Sequence, residues 1–318
     1  MRMDTSAQHP QPSVAITVII PAYNYAHYLP RALDSVFRQS FPPVRIVVVD
    51  DGSTDDTPAV LEHYLAKAPA APELLTFRQI NQGPSAARNH GIRQAIGDYI
   101  VFLDADDALL PDALHQLASA ITAFQEPAMV FGGRYAVGED GHRTVRPAYV
   151  LSGERERDFA AYVEGRFRIS NGTAAIARQV FERISYPEDL RNNEDMVVDA
   201  LILANHACRS ITAPVAEIHA HPGRLRNAVS DRLDNALELT ERIFDPEQMP
   251  VDLMRFKAPF LARRYLSRFR SFYRAGDRRR ALDNFMHALR IEPRQALKPD
   301  YLLKALACVL RRSHTSES

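Results

Sequence analysis

Asp98-Tyr99-Ile100-Val101-Phe102-Leu103-Asp104-Ala105-Asp106-Asp107 is the stretch on which the fold turns. Tyr99 to Leu103 is a run of β-branched and aromatic residues, and it predicts a short buried strand. The run stops in three carboxylates within four positions. Burying one carboxylate is costly, and like charges beside it make the cost larger. A hard divalent cation resolves that conflict, because Mg²⁺ and Mn²⁺ take carboxylate oxygens and share them with phosphate. The alternative is an acidic loop that opens the next helix, which Asp107 or Pro111 could begin. The flanking sequence decides between the two.

Upstream, Ala15 to Ile20 is a continuous apolar run closed by Pro21, the pattern of a buried parallel strand. Pro21 to Tyr25 reads as the loop beyond it, and Tyr28 to Gln39 as a helix with Leu29, Leu33 and Val36 on one face. Val44 to Val49 is a second strand, ending in the polar turn Asp50-Asp51-Gly52-Ser53. Thr57 reads as an N-cap before Pro58, opening a helix to about Ala66. Leu74 to Phe77 is a third strand and Asn81 to Pro84 a turn. A helix then runs from Ser85 to Ile96 with Gly97 ending it. Downstream of the acidic stretch, Pro111 starts a helix and Met129 to Phe131 reads as one more strand.

Strands alternating with helices at this spacing imply right-handed crossovers and a parallel sheet. Ligands of such sheets bind beyond the carboxyl ends of the strands. Asn24, Asp51, Asp104 and Asp106 all fall just past a strand end, so three separate loops converge on one rim. That convergence favours a binding site over a helix cap.

The later sequence is less regular. Residues 132–170 read as a connection with a short helix near Asp158 to Gly165, and Phe181 to Ile184 as a short helical piece. Met196 to Leu203 is a helix capped by Asn192 or Asn193, with Glu194 and Asp195 at its positive end. Two short segments follow, Ser210 to Thr212 and Val215 to Ile218, and then His219-Ala220-His221. From about Asp231 the pattern is helical throughout. Tyr273, Gly276, Ala281, Phe285, Ala288, Leu289 and Pro293 resemble one unit of a tetratricopeptide-type hairpin, read as a local helical pair because an array needs several units.

Composition narrows the function classes. The 318 residues are 46% hydrophobic and 25% charged with a formal net charge of zero, as in an ordinary globular protein. The charge is uneven: residues 251–318 carry 16 Lys and Arg against 6 Asp and Glu. Two distant cysteines form no disulfide framework or metal-ligand spacing, which fits a reducing compartment. The polar start lacks the apolar centre of a signal peptide. The expected location is therefore cytoplasmic. The aromatics form no stacking platform, so nucleic acid is not an expected partner.

Four motifs carry a family resemblance. Val18 to Asn24, Val48 to Asp55, Gly83 to Gly91 and Phe102 to Asp107 resemble the family 2 glycosyltransferases in order and spacing. Glu194-Asp195 resembles that family's acidic pair, and His221-Pro222-Gly223 its late histidine motif. The resemblance implies the GT-A fold, a Rossmann-like, mostly parallel α/β sheet flanked by helices, here followed by a helical C-terminal region. It implies transfer of a sugar, with inversion, from a nucleotide sugar (usually a UDP-sugar) to an acceptor hydroxyl, assisted by Mg²⁺ or Mn²⁺. Saccharide or lipid-linked acceptors of the cell envelope are the implied partners.

Carried over by position, Pro21, Tyr23 and Asn24 line the nucleotide site, Asp51 accepts from the base imino N–H, and Arg88 approaches the base or ribose. Asp104 holds the ribose or assists the metal through the Asp-x-Asp motif, Asp106 ligates the metal, and Asp195 is the general base. His221 ligates the metal or touches the diphosphate. Two alternatives are weighed. A nucleotidyltransferase calls for a basic, glycine-rich phosphate loop after the first strand, which Pro21 to Asn24 is not. A silent nucleotide-sugar-binding protein is expected to lack Asp106 or Asp195, and both are present.

The expected organisation is a disordered segment over 1–13, a catalytic domain over 14–228 and a basic helical region over 229–318. Within the catalytic domain, 14–125 is the nucleotide-sugar half and 126–228 the acceptor side. The basic region has two readings, a solvated helical face or peripheral attachment to anionic lipid at the inner face of a membrane.

Overall fold

The computed structural model describes residues 13–190, 192–221 and 236–310. Expectations for residues 1–12, for Pro222 to Asp231 and for the last eight residues lie outside them. Among the described residues, 13–158 with 167–221 form one compact unit, and 159–166 with 236–310 form a second.

The first unit is a nine-stranded mixed sheet flanked by helices. Its first half follows the apolar runs. Strands β1 (Ile16–Ala22), β2 (Arg45–Asp50), β3 (Glu73–Arg78) and β4 (Tyr99–Phe102) lie parallel in the order β3-β2-β1-β4. Helices α1 (Leu29–Phe37), α2 (Thr57–Lys67) and α3 (Pro84–Gln94) alternate with them. The chain winds outward from β1 through β2 and β3, then returns to the other side of β1 with β4. The β1/β4 boundary is therefore the switch point where open α/β sheets bind ligands. Ile16, Val18, Ile19, Ile20, Ile46, Val47, Val48, Ile100 and Val101 are fully buried, the signature of strands covered on both faces.

Local chemistry shifts some boundaries. Pro21 and Ala22 continue β1 instead of leaving it. Thr57 lies one residue inside α2, where its hydroxyl accepts from the Tyr25 amide and donates to Asp55 instead of capping the helix. Gly97 does not cap α3, which stops at Gln94. It turns the chain at φ +81°, where a side chain would collide with the Ala15 carbonyl.

The second half departs from a parallel reading. After β5 (Ala108–Leu109) and α4 (Ala113–Ala123), β6 extends over Met129–Val137 and forms a hairpin with β7 (Arg143–Arg146). The stretch expected to be an irregular connection thus contains a strand pair. It is followed by α5 (Arg155–Val163) and by β8 (Ala174–Ala177), which lies antiparallel between β4 and β6. Helix α6 (Glu194–Asn205) leads to β9 (Cys208–His219), one long strand where two segments were expected. Its pairing with β6 shifts register on both sides of Gly133, close to Pro214. This interruption is what splits the apolar pattern.

The second unit is helical: α7 (Ala236–Ile243), α8 (Lys257–Arg274), α9 (Arg278–Ile291), α10 (Pro293–Ala296) and α11 (Pro299–Leu310). Its core joins Leu266, Phe269 and Phe272 of α8 to Ala281, Phe285 and Ala288 of α9. Ala296, Ala305 and Cys308 complete the same cluster, so the hairpin shares its core with α10 and α11. No helix among the described residues is long and apolar enough to cross a membrane.

Candidate active site

The switch point gathers three loops. At the end of β1, Asn24 adopts φ +56°, a left-handed conformation that asparagine tolerates. Its side-chain oxygen accepts from the Thr54 amide at 2.7 Å and the Asp55 amide at 3.3 Å, and its own amide donates to Ser53 Oγ at 2.9 Å. Asn24 thus ties the β1 loop to the β2 loop. Tyr23 beside it is exposed, and Pro21 is half-buried in the strand.

At the end of β2, Asp51 is buried and collects three donors. Gln79 Nε2 and the Gln82 amide reach Oδ1 at 2.9 Å each, and the Gly83 amide reaches Oδ2 at 2.8 Å. These donors come from the loop that opens α3, so Asp51 fixes how that loop approaches the site. Gly83 holds φ +94° and ψ 169°, a conformation essentially reserved for glycine. Asp50 is equally buried and accepts from the Ser53 amide at 2.8 Å, closing the turn between them.

The end of β4 carries the acidic cluster. One carboxylate oxygen from each of Asp104, Asp106 and Asp107 lies within 4.8 Å of the others, and Asp106 and Asp107 are buried. Three hard oxygen donors this close suit an octahedral divalent cation, and without a cation they repel at short range. The donor set fits Mg²⁺ or Mn²⁺. Asp106 Oδ2 is 2.8 Å from His221 Nε2, while Asp107 Oδ1 accepts from the His219 amide at 2.8 Å. The C-terminal end of β9 is therefore fastened to the cluster by two side chains. Tyr28 stacks on the His221 ring at 4.5 Å and orients it. His221 reaches the cluster through Asp106. Arg31 donates to the Asp106 backbone carbonyl from α1.

Arg88 lies on α3, 4% exposed. Its Nη2 donates to Asp104 Oδ1 at 3.1 Å and its Nη1 to Glu194 Oε1 at 2.8 Å. The guanidinium also sits 5.3 Å from the Tyr186 ring centre. Burial by itself works against the charge, but Asp104 and Glu194 more than offset it and push the Arg88 pKa up. Burial also pushes the Glu194 carboxyl up from its ordinary value, against the pull of Arg88. The adjacent Asn89 bonds the backbone of Tyr186 in both directions, at 2.9 and 3.0 Å.

Arg88 and Asn89 together bring the chain before α6 to the rim. Asp195, next to Glu194, is the second residue of α6 and accepts from the Met196 amide at 2.8 Å. Asn193 occupies the cap position at φ +64° without a side-chain cap bond.

Of the residues expected to form the site, Asp51, Arg88, Asp104, Asp106 and His221 are joined through the loops just described, and Asp195 flanks the Arg88 partner. Two contributors have no role of their own in the sequence reading. Glu194, there only the neighbour of Asp195 in an acidic pair, takes the Arg88 ion pair. Asn171 donates from Nδ2 to Asp104 Oδ1 at 3.1 Å, and its only sequence mark, the sequon Asn171-Gly172-Thr173, says nothing of that contact.

The geometry describes a mixed α/β sheet with a carboxylate cluster at its switch point. Residues 17–185, more than half of the chain, match the profile described as Glycosyl transferase family 2. The chain belongs to that family. It is 27% identical over 271 residues to an uncharacterized glycosyltransferase of Rickettsia conorii, covering 85% of this chain but 41% of that protein. It is 37% identical over 117 residues to the GalNAc(5)-diNAcBac-PP-undecaprenol beta-1,3-glucosyltransferase of Campylobacter jejuni, covering 37% of each. In fold it is similar to S. aureus TarS 1–349 in complex with UDP-GlcNAc, with a TM-score of 0.64, 20% identity, and coverage of 89% of this chain and 82% of TarS 1–349.

Proposed function

We propose that the protein transfers a sugar from a UDP-sugar to an acceptor hydroxyl by a single displacement that inverts the anomeric carbon. The observation that carries this is the chain Asp104–Arg88–Glu194, which joins the acidic cluster to the first turn of α6, where Asp195 lies. Asp106 and Asp104, with His221 behind Asp106, hold a divalent cation. That cation, when bound, stabilises the negative charge gathering on the leaving diphosphate. Pro21, Tyr23 and Asn24 form one wall for the nucleoside. Asp51 turns its remaining acceptor capacity to the base imino N–H, and Arg88 keeps Asp104 oriented toward the ribose.

In the reacting complex, the acceptor oxygen bonds to the anomeric carbon as the bond to the diphosphate oxygen breaks. Asp195 takes the hydroxyl proton. One carboxylate suffices for this route, whereas retention through a covalent intermediate requires a second as nucleophile. The UDP-GlcNAc in the similarly folded TarS supports a uridine donor. The Campylobacter relative, named for an undecaprenyl-linked substrate, supports a lipid-linked saccharide acceptor in envelope synthesis.

Titration calorimetry with UDP, with and without Mn²⁺, tests the donor half of this reading. A panel of UDP-sugars with product anomer assignment by nuclear magnetic resonance tests the chemistry. A product retaining the donor configuration sinks the mechanism, and an Asp195→Asn variant with near-full transfer removes Asp195 as the base.

A further inference from the structure

Helix α11 is apolar almost all round: ten of its twelve residues, Pro299 to Leu310, are neither charged nor amide-bearing, and only Asp300 and Lys304 carry charge. One side is accounted for, since Ala305 and Cys308 are buried in the second unit's core with Leu302 packed against it. The opposite side is not. Leu303 is 67% exposed, Leu306 47% and Val309 53%, and Leu297 just before the helix is 51% exposed. A three-residue step puts Leu303 and Leu306 on one outer face, with exposed Val309 at its flank, turned toward the side of Leu302. A helix apolar all round is normally covered on every side.

Basic residues lie around this stripe. Asp300 is paired with Lys304 and also feels Arg270, so it is neutralised locally. Arg274 and Arg278 line a cavity of about 300 Å³ together with Ala307 and Cys308, which places them along the flank of the same helix. Lys298 is exposed immediately before the helix. An apolar stripe with a basic margin suits an anionic bilayer, with leucines entering the acyl boundary and arginine and lysine heads at the phosphates. The same margin argues against a second copy, since a two-fold contact would set one basic rim against another.

We propose that the outer face of α11, through Leu303, Leu306 and Val309, docks on an anionic lipid surface. The surface lies outside the residues assigned to sugar transfer, so the proposal stands independently of the transferase reading.

The test is co-sedimentation of the 318-residue chain with vesicles of phosphatidylcholine alone and of phosphatidylcholine mixed with phosphatidylglycerol. The chain is expected to pellet with the mixed vesicles, to stay in solution with phosphatidylcholine alone, and to be released by salt. Leu303→Glu/Leu306→Glu is expected to weaken pelleting about tenfold or more. Leu303→Gln/Leu306→Gln serves the same purpose should the acidic pair disturb folding. Equal pelleting of variant and wild type, or no pelleting of the wild type with anionic vesicles, overturns the proposal. So does a wild-type dimer in sedimentation velocity that the leucine variants dissociate, which assigns the face to a second copy.

Discussion

Nη1 of Arg88 and Oε1 of Glu194, 106 residues apart in the chain, meet at 2.8 Å with both side chains largely shielded from water. The same guanidinium holds Asp104 through its other nitrogen, so one buried cation serves two carboxylates from separate elements. Removing it strands both. Arg88→Gln is expected to cost about 3–5 kcal/mol in urea unfolding, because breaking a buried pair leaves uncompensated charge. The double variant Arg88→Gln/Glu194→Gln is expected to cost less than the two single losses added together, with a coupling of about 0.5–3 kcal/mol. Strict additivity means that the pair carries no energy of its own.

The acidic cluster separates a ligand role from an anchoring role. Asn in place of Asp106 still offers an oxygen to His221 but loses the charge that a cation needs. Asp106→Asn is therefore expected to abolish the gain in UDP affinity that Mn²⁺ confers, read by calorimetry. Asp107 also holds the His219 amide, and Asp107→Asn is expected to reduce that gain by about 10–100-fold, as loss of an outer support does. The reverse ranking would make Asp107 the principal ligand.

Strands β1, β2 and β4 are legible in the sequence because each is a mostly apolar run covered on both faces, whereas β3, at the edge of the sheet, buries only Leu74 and is read from the short segment Leu74 to Phe77. Their ends are legible for the same reason, since Asp51, Asp104 and Asp106 follow directly on such runs. The second half is legible only in part, at Met129 to Phe131 of β6, in α6 and in the two segments that join as β9. Strand β8 is Ala174-Ala175-Ile176-Ala177, whose alanines carry no strand preference, and β6 and β7 put Arg134, Tyr135, Arg143 and Arg146 on partly exposed positions. Long-range pairs are the other blind spot. Nothing local to Arg88 or Asn171 states that each reaches Asp104, and Asn24 is conspicuous in sequence while its side-chain oxygen is used on the neighbouring loop. Strand-end placement finds the rim, and only the fold shows which rim residues hold one another.

Two glycines of the third motif are required for different reasons. A side chain at Gly91 would overlap Ile19 Cγ2, because α3 lies directly on β1 there. At Gly83 space is open, and the constraint is the backbone conformation that lets its amide reach Asp51. Gly91→Ala and Gly83→Ala are each expected to cost about 1–3 kcal/mol. The causes separate in an Ile19→Ala background, where the Gly91→Ala penalty is expected to shrink and the Gly83→Ala penalty to stay. Equal penalties in both backgrounds would falsify the packing explanation for Gly91.

Two histidines outside the cluster set the direction of an acid response. Burial holds His90 below its ordinary pKa, helped by Arg93, and burial with Arg183 does the same to His206. In the unfolded chain both take up protons below about pH 6.5, while in the folded chain they stay neutral to lower pH. The unfolded state then binds more protons across that window, so stability rises with pH and falls on acidification. The melting temperature is expected to drop as pH goes from about 7 to about 5. His90→Gln/His206→Gln is expected to flatten that part of the profile while leaving the neutral-pH response unchanged. If wild type and variant lose stability in parallel over this range, the acid sensitivity belongs to carboxylates, and neither histidine contributes to it.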